Sequence, residues 1–203
     1  MNAWRYGALL AVLATALPAC SGDDDDSSKG SAIDLGAPNP NGTPGDAQTP
    51  PTTNGSDVET WLTNGDYKSW HCEMASHPQM KVSPHGQNLI CSNDLEASFS
   101  GTGERPKGSA AVKELYDDSN ALVGYAVEVK TQAMSASGGG WYWYERVPLT
   151  SPVPHNSGGI VADGLGTKGQ AQSICVGCHG GAGSNVDHTV LASSDFVYDQ
   201  VGP

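Results

Sequence analysis

The stretch "ALVGYAVEVKTQAMSASGGGWYWYERV", residues 121–147, decides the fold of this chain. Residues 121–132 are rich in valine, which favours a β-strand, and residues 141–147 carry the aromatic side chains that favour another strand. Between them, residues 135–140 form a glycine-rich segment that is typical of a turn. Two strands joined by a short turn predict an antiparallel hairpin.

Two segments before this hairpin extend the pattern. "QNLICS", residues 87–92, predicts a strand, whereas residues 109–116 fit either a helix or a strand. The turn signal "DDSN" at residues 117–120 joins residues 109–116 to the valine-rich strand, which favours a second hairpin. The predicted fold class is α+β: mainly an antiparallel β-sheet, arranged as a meander, with a few short helices.

The ends of this predicted sheet are flanked by shorter elements. Ser56 and Glu59 have the spacing of a capping box, which predicts a short helix over about residues 57–71. Residues 148–168 are rich in proline and glycine and are predicted to be a loop. Residues 194–201 fit a last short strand or helix.

The first residues resemble a secretory signal. Arg5 supplies a positive charge, and residues 8–17 form an apolar run shorter than the roughly 20 residues that span a bilayer. "LPAC", residues 17–20, resembles a bacterial lipobox, which implies cleavage before Cys20 and lipidation of that cysteine. An ordinary signal peptide with an incidental cysteine is the alternative.

A tether is predicted to follow the signal of residues 1–19. Residues 20–56 are almost all Ser, Gly, Pro, Asp, Asn and Thr, and too few apolar side chains are present to offset the entropy of ordering them. Ser21 after the lipidated Cys20 implies an outer-membrane address in the lipoproteins that this start resembles. Residues 57–203 have the length of one domain with a single core.

The charge balance excludes one class of partner. The chain has 10 Lys and Arg residues against 22 Asp and Glu residues, so its formal net charge is −12. Binding to the phosphates of nucleic acid needs clustered Lys and Arg side chains. We therefore expect no nucleic-acid partner; the predicted attachment to a membrane is through the lipid alone.

Two of the five cysteines lie in the first part of the predicted domain. Because an exported protein enters an oxidising compartment, Cys72 and Cys91 are predicted to form a disulfide. On the chain-entropy model, closing a loop of about 20 residues stabilises a fold by about 3 kcal/mol. The alternative is two free or metal-binding thiols, with His71 beside Cys72.

The remaining two cysteines belong to "CVGCH", residues 175–179, which we expect to lie on a short helix. In a C-x-x-C-H motif, Cys175 and Cys178 are spaced to add to two vinyl groups of one haem, and His179 then lies under the iron. A redox or structural disulfide and a zinc site are the alternatives. A zinc site usually has a second pair of ligands, and no second C-x-x-C is present.

The ordered series "VKELYD", "VGYAVEVKTQ", "GGWYWYERV", "CVGCH" and "DFVYDQV" resembles the cytochrome P-460 and cytochrome c′-beta family. The similar region covers about residues 85–201. The resemblance implies an antiparallel-sheet homodimer with one covalent haem c and a distal iron position open to small molecules. The P-460 branch oxidises hydroxylamine and related nitrogen oxides, and the c′-beta branch binds nitric oxide or carbon monoxide without that activity.

The resemblance also implies roles for single residues. Cys175 and Cys178 match the cysteines that form thioethers with haem, and His179 matches the proximal iron ligand. Lys113 falls where the P-460 branch has a lysine covalently joined to the haem, and an exposed strand lysine is the alternative. Glu128, on the next predicted strand, is the nearest candidate for a distal acid, and an ordinary strand carboxylate is the alternative.

An electron-transfer cytochrome is the third hypothesis, beside the enzyme and the gas-binding protein. It requires a second axial ligand to the iron. His71, His77 and His85 are candidates, and surface or structural histidines are the alternative. The thioethers of Met80 and Met134 are further candidates.

Overall fold

The computed structural model of the protein describes most of the predicted domain. The described residues are 49–78, 85–100, 103–133 and 138–182, together with Asp195, Val197, Val201 and Gly202. The predicted signal peptide, Cys20, Met80 and Met134 lie outside them. None of the helices in the described residues combines the length and the apolar character that are needed to span a bilayer.

One six-stranded antiparallel sheet organises the domain, and its strands lie side by side in chain order. The strands are β1 (His71–Cys72), β2 (Gln87–Ser92), β3 (Ala110–Tyr116), β4 (Leu122–Lys130), β5 (Trp141–Arg146) and β6 (Ile160–Leu165). The helices are α1 (Gly55–Asn64), α2 (Asp94–Ala97) and α3 (Gly177–His179), with a π-helical turn (Ala171–Val176) before α3 and 3-10 turns at Asp66–Ser69 and Gly180–Ala182. The predicted α+β meander is therefore confirmed.

The ambiguous segment before the "DDSN" turn is a strand, β3. Asn120 adopts the left-handed conformation with φ 62°, as short polar side chains tolerate at turns. The Asp117 carboxylate accepts hydrogen bonds from the backbone N–H groups of Ser119 and Ala121, each at 2.9 Å. This local network fixes the reversal between β3 and β4.

β6 corrects the prediction that residues 148–168 form a loop throughout. It pairs with β5, and Gly164 lies opposite Trp143. Val161 and Ala162 are buried although glycines flank them. This glycine-rich segment is a strand because it pairs with the hydrogen-bonding edge of β5. The composition of the segment does not indicate that pairing.

One face of the sheet, here the helix face, packs against α1. Val58, Trp61 and Leu62 have the i, i+3, i+4 spacing of one helical stripe, and all three are buried. The Asn54 side chain, not the predicted Ser56, caps the helix by accepting a hydrogen bond from the backbone N–H of Asp57. Sheet residues in this core include Cys91, Val112, Val127, Val129, Tyr142 and Tyr144.

Gly65 and a disulfide shape the same side of the molecule. Gly65 ends α1 with φ 75°, a conformation that favours glycine, so the helix is shorter than predicted. The predicted disulfide between Cys72 and Cys91 is present and joins β1 to β2, with 4.0 Å between the two Cα atoms. Cys91 belongs to the core of the helix face, and Cys72 packs against that core.

The opposite face, here the site face, carries more charged residues than the helix face. Opposed residues in an antiparallel pair share a face, so the strand register assigns its members. They are Ala111, Lys113, Leu115, Ala126, Glu128, Lys130, Trp141, Trp143 and Glu145. Glu128, Lys130 and Glu145 are each at most 9% exposed. Charged residues are rarely buried without a partner, so each of these side chains is expected to be paired.

α2 places another carboxylate in the interior. Glu96 is fully buried, and its Oε1 atom lies 2.9 Å from Arg105 Nε. Burial raises the pKa of Glu96 to about 7, although the Arg105 guanidinium opposes this shift. Asp195 raises that pKa further.

Stability should therefore fall as the pH rises through the range in which Glu96 ionises. The folded protein binds this proton more tightly than the unfolded chain, whose carboxyl titrates near its ordinary value of 4.5. Between pH 5 and pH 8 the wild type should lose about 2–3 kcal/mol of unfolding free energy through this group. Glu96→Gln should remove that loss.

Urea unfolding of both proteins at the two pH values measures the effect. Asp118→Asn, at an exposed turn position, is the matched control and should keep the wild-type pH dependence. Equal pH dependence in wild type and Glu96→Gln would contradict the assignment to Glu96.

Candidate functional site

The C-x-x-C-H helix, residues 171–179, lies over the site face of the sheet. The π-helical turn and α3 confirm the predicted short helix. Cys175 is buried in one apolar cluster with Trp143 of β5. Gly138 allows the helix to approach closely, because a Cβ atom there would lie 2.5 Å from Val176 Cγ2. The motif is therefore held against the sheet.

The two cysteines of the motif are not joined by a disulfide. Burial raises the pKa of the Cys175 thiol, and the nearby carboxylates of Glu145 and Glu128 raise it further. A reactive redox thiol has the opposite property, a lowered pKa beside a positive charge or a helix N-terminus. This environment therefore disfavours Cys175 as a reactive redox thiol.

His179 lies between a carboxylate and an aromatic ring of the site face. Its Nδ1 atom is 3.6 Å from Glu128 Oε2, an ion-pair distance longer than a hydrogen bond. The Trp143 ring packs edge-on to the imidazole, with 4.7 Å between centroids. The candidate distal acid Glu128 thus lies beside the candidate proximal ligand His179, at an ion-pair distance.

A second histidine and carboxylate lie next to this pair. His85 Nε2 is 3.5 Å from Glu145 Oε1, and both side chains are nearly buried. The rings of His85 and His179 have centroids 6.4 Å apart and planes inclined by 47°. The site therefore contains two neighbouring histidine–carboxylate pairs.

Lys113 belongs to the same face of the sheet, as the period of two predicted. It lies opposite Ala126 on β4, and Ala126 lies opposite Glu145 on β5. In the next cross-strand row, Ala111 lies opposite Glu128. Alanines therefore lie beside the charged residues in this part of the face. Lys113 is half-buried there.

The other two histidine candidates are paired elsewhere. His71 Nε2 lies 2.8 Å from Asp94 Oδ1, and His77 Nε2 lies 3.0 Å from Glu73 Oε1. Of the three histidines that the sequence proposed as second ligands, only His85 has a ring contact with His179 among the described residues.

The residues present fit a covalently bound haem. Among the residues that the structure describes, no three His, Cys, Asp or Glu side chains are arranged to hold a metal ion alone. A haem iron does not need three protein ligands, because the porphyrin supplies most of its coordination. Trp143 Nε1 and Glu145 Oε1 are buried, and neither atom has a hydrogen-bond partner in the described residues. This is expected for atoms that face a bound polar group.

Glu145 is a site residue that was not predicted from the sequence. It stands in "WYWYERV", a strand in which aromatic side chains dominate the pattern. Its alternation with Trp141 and Trp143 was the available signal, since three residues spaced by two share one face. Its contact with His85 depends on how the chain folds and has no local signature.

Comparison with known proteins adds no relative to this description. No protein family model matches the sequence, and no curated protein sequence matches it significantly.

Proposed function

We propose that this chain is an exported c-type cytochrome with a single haem, of the P-460 kind. Cys175 and Cys178 would hold the haem through thioethers, and His179 would bind its iron. Cys20 would carry the lipid that anchors the protein in the cell envelope, at the outer membrane. A homodimer is part of the same proposal.

The observation that carries this proposal is the packing of the C-x-x-C-H helix on a buried face that contains two carboxylates. Buried charges are normally paired or bound to metal. Glu128 lies near His179, and Glu145 lies near Cys175 and His85. A zinc site would require additional ligands, and the described residues arrange none with these side chains. A redox site would require a lowered thiol pKa, whereas burial raises the pKa of Cys175.

A bound c-type haem would supply an iron that exchanges electrons and binds small molecules. The activity that we propose at this site is oxidation of hydroxylamine or nitric oxide. Glu145 is a carboxylate able to accept protons released in such an oxidation, whereas Glu128 lies beside the proposed proximal ligand His179. The side chains of Glu128 and Glu145 are both nearly buried, so little water reaches them. Gas binding without turnover and simple electron transfer are the competing outcomes.

Lys113→Ala tests the P-460 assignment. If Lys113 is joined to the haem, the wild type should have a strongly red-shifted ferrous absorption band, and the variant should lose both that band and hydroxylamine oxidation. The physical reason is that a covalent link changes the electronic structure of the macrocycle. Mass spectrometry of haem peptides should find residue 113 in the wild-type product.

Lys107→Ala is the matched control, because Lys107 is an exposed lysine in a turn. An ordinary c-type spectrum in the wild type would reject the P-460 branch. Rapid binding of carbon monoxide would then favour the gas-binding outcome, whereas a haem that does not bind carbon monoxide would favour electron transfer.

A further inference from the structure

Five charged side chains form one contact network around Lys130 of the site face, here the charge cluster. Its members are Glu96, Glu104, Arg105, Lys130 and Asp195. Arg105 Nε lies 2.9 Å from Glu96 Oε1. Lys130 Nζ lies 2.6 Å from Asp195 Oδ2 and 3.3 Å from Glu104 Oε1. The backbone N–H of Arg105 donates a hydrogen bond to Asp195 at 2.8 Å, which connects the two groups of contacts.

The charges of this cluster do not balance when every carboxyl group is ionised. The cluster contains two cationic side chains and three carboxyl groups. Glu96, Arg105, Lys130 and Asp195 are each at most 4% exposed. A net charge in the interior of a protein is unfavourable, so the cluster is most stable when one of its carboxyl groups holds a proton.

Glu96 is the carboxyl group best placed to hold that proton. Asp195 contacts the Lys130 amino group and accepts the Arg105 backbone N–H, and both contacts favour its ionised form. Glu104 has a side chain that is 18% exposed, so water reaches it. Glu96 is fully buried. Its burial raises its pKa to about 7, although Arg105 opposes the shift, and Asp195 raises the pKa further.

Asp195 connects the charge cluster to the rest of the domain. Val197, two residues later, belongs to the buried apolar cluster that contains Cys175. The backbone N–H of Val201 donates a hydrogen bond to Ser92 Oγ at 3.0 Å. Asp195 itself has φ 51°, a left-handed conformation that is costly for a residue with a side chain. Its contacts within the cluster therefore hold the backbone in a conformation that it would leave when released.

We propose that Asp195 is a pH-sensitive latch, which holds Val197 and Val201 against the domain while Glu96 is protonated and releases them when Glu96 ionises. Ionisation of Glu96 adds a buried negative charge that repels the Asp195 carboxylate, and release gives both groups access to water. Release also removes Val197 from the cluster around Cys175. None of the five charged side chains belongs to the C-x-x-C-H motif, so the latch does not depend on the proposed haem function.

The released form should become more populated as the pH rises and then level off. In this form Glu96 faces water and titrates near its ordinary value of 4.5, whereas burial raises its pKa to about 7 in the closed form. The closed form is therefore favoured most below pH 4.5, and the opening constant rises about tenfold per pH unit between the two values. Between pH 5 and pH 8 this constant should increase roughly 70-fold.

Hydrogen–deuterium exchange of single amides in the purified protein measures this opening. The reporters are the backbone N–H of Arg105, which donates to Asp195, and that of Val201, which donates to Ser92. Their protection factors, which correct for the intrinsic effect of pH on exchange, should fall roughly 70-fold from pH 5 to pH 8. They should also be at least about tenfold below those of the central strand β4, whose amides exchange by global unfolding.

Glu96→Gln should abolish the pH dependence of the protection factors at Arg105 and Val201, because glutamine has a similar shape and no titrating proton. Asp118→Asn, at an exposed turn position, is the matched control and should behave like the wild type. A pH dependence that persists in Glu96→Gln would overturn the role of Glu96.

The wild type alone decides the question if Glu96→Gln does not fold. Equal protection of the two reporter amides and the β4 amides at pH 8 would overturn the latch, because the reporters would then exchange only through global unfolding. Protection of the reporters that does not change between pH 5 and pH 8 would overturn it as well. Low, pH-dependent protection of both reporters above a well-protected β4 supports the latch.

Discussion

Replacing Cys175 and Cys178 together by alanine should abolish the covalent attachment of haem. Each thiol is expected to form one thioether bond, so the double variant retains no covalent link. On a denaturing gel, haem-dependent peroxidase staining should disappear from the protein band. Each single variant should keep one bond and stain more weakly than the wild type.

The matched control changes the other cysteine pair. Cys72 and Cys91 form a disulfide between β1 and β2, and both precede Cys175 by more than 80 residues in the chain. Alanine at both positions should leave the haem stain intact while lowering the unfolding free energy by about 3 kcal/mol. Persistence of the stain in the variant without Cys175 and Cys178 would refute thioether attachment at these residues.

The short helix of the C-x-x-C-H motif and the central hairpins could be predicted because their signals are local. Cys175, Cys178 and His179 are adjacent in sequence, and β4 has a continuous run of strand-forming residues. The alternation of side chains also placed Lys113 with Ala111 and Leu115, and the register confirms that these residues share a face. A pattern that repeats every two residues determines which side chains of a strand share a face, whatever partner the strand has.

The partners at the site could not be predicted, because they depend on register between distant segments. Glu145 lies near His85, which is 60 residues earlier, only because β5 pairs with β4 in one register and the chain before β2 reaches the same face. A slip of one residue would turn the Glu145 side chain to the helix face. β6 could not be predicted for the same reason, because it is a strand only through its pairing with β5.

A buried lysine on the site face gives the second large effect. Lys130 follows Glu128 by two residues on β4, and its side chain is completely buried. Its Nζ atom lies 2.6 Å from Asp195 Oδ2 and 3.3 Å from Glu104 Oε1, and it lies over the Trp141 ring at 5.2 Å. Asp195 also accepts a hydrogen bond from the Arg105 backbone N–H at 2.8 Å.

These contacts join three parts of the chain at one end of the site face. Asp195 lies 65 residues after Lys130, and its carboxylate is as buried as the amino group that it contacts. Val197 belongs to the same apolar cluster as Cys175 and Trp143. The ion pair therefore fixes Asp195 on the site face, two residues before the valine that packs with Cys175.

Lys130→Met should lower the unfolding free energy by about 3–5 kcal/mol, because it removes one partner of a buried ion pair and leaves Asp195 uncompensated. Urea unfolding measures the loss. Lys107→Met, which makes the same change at an exposed position, should have little effect.

The double variant Lys130→Met with Asp195→Asn separates the buried charge from lost packing. The asparagine oxygen can still accept the hydrogen bond from Arg105, and no carboxylate remains unpaired at position 195. If the uncompensated charge causes most of the loss, the double variant should be more stable than Lys130→Met alone, although it contains two substitutions. Additive losses would instead mean that the methylene chain of Lys130, packed over Trp141, contributes the stability.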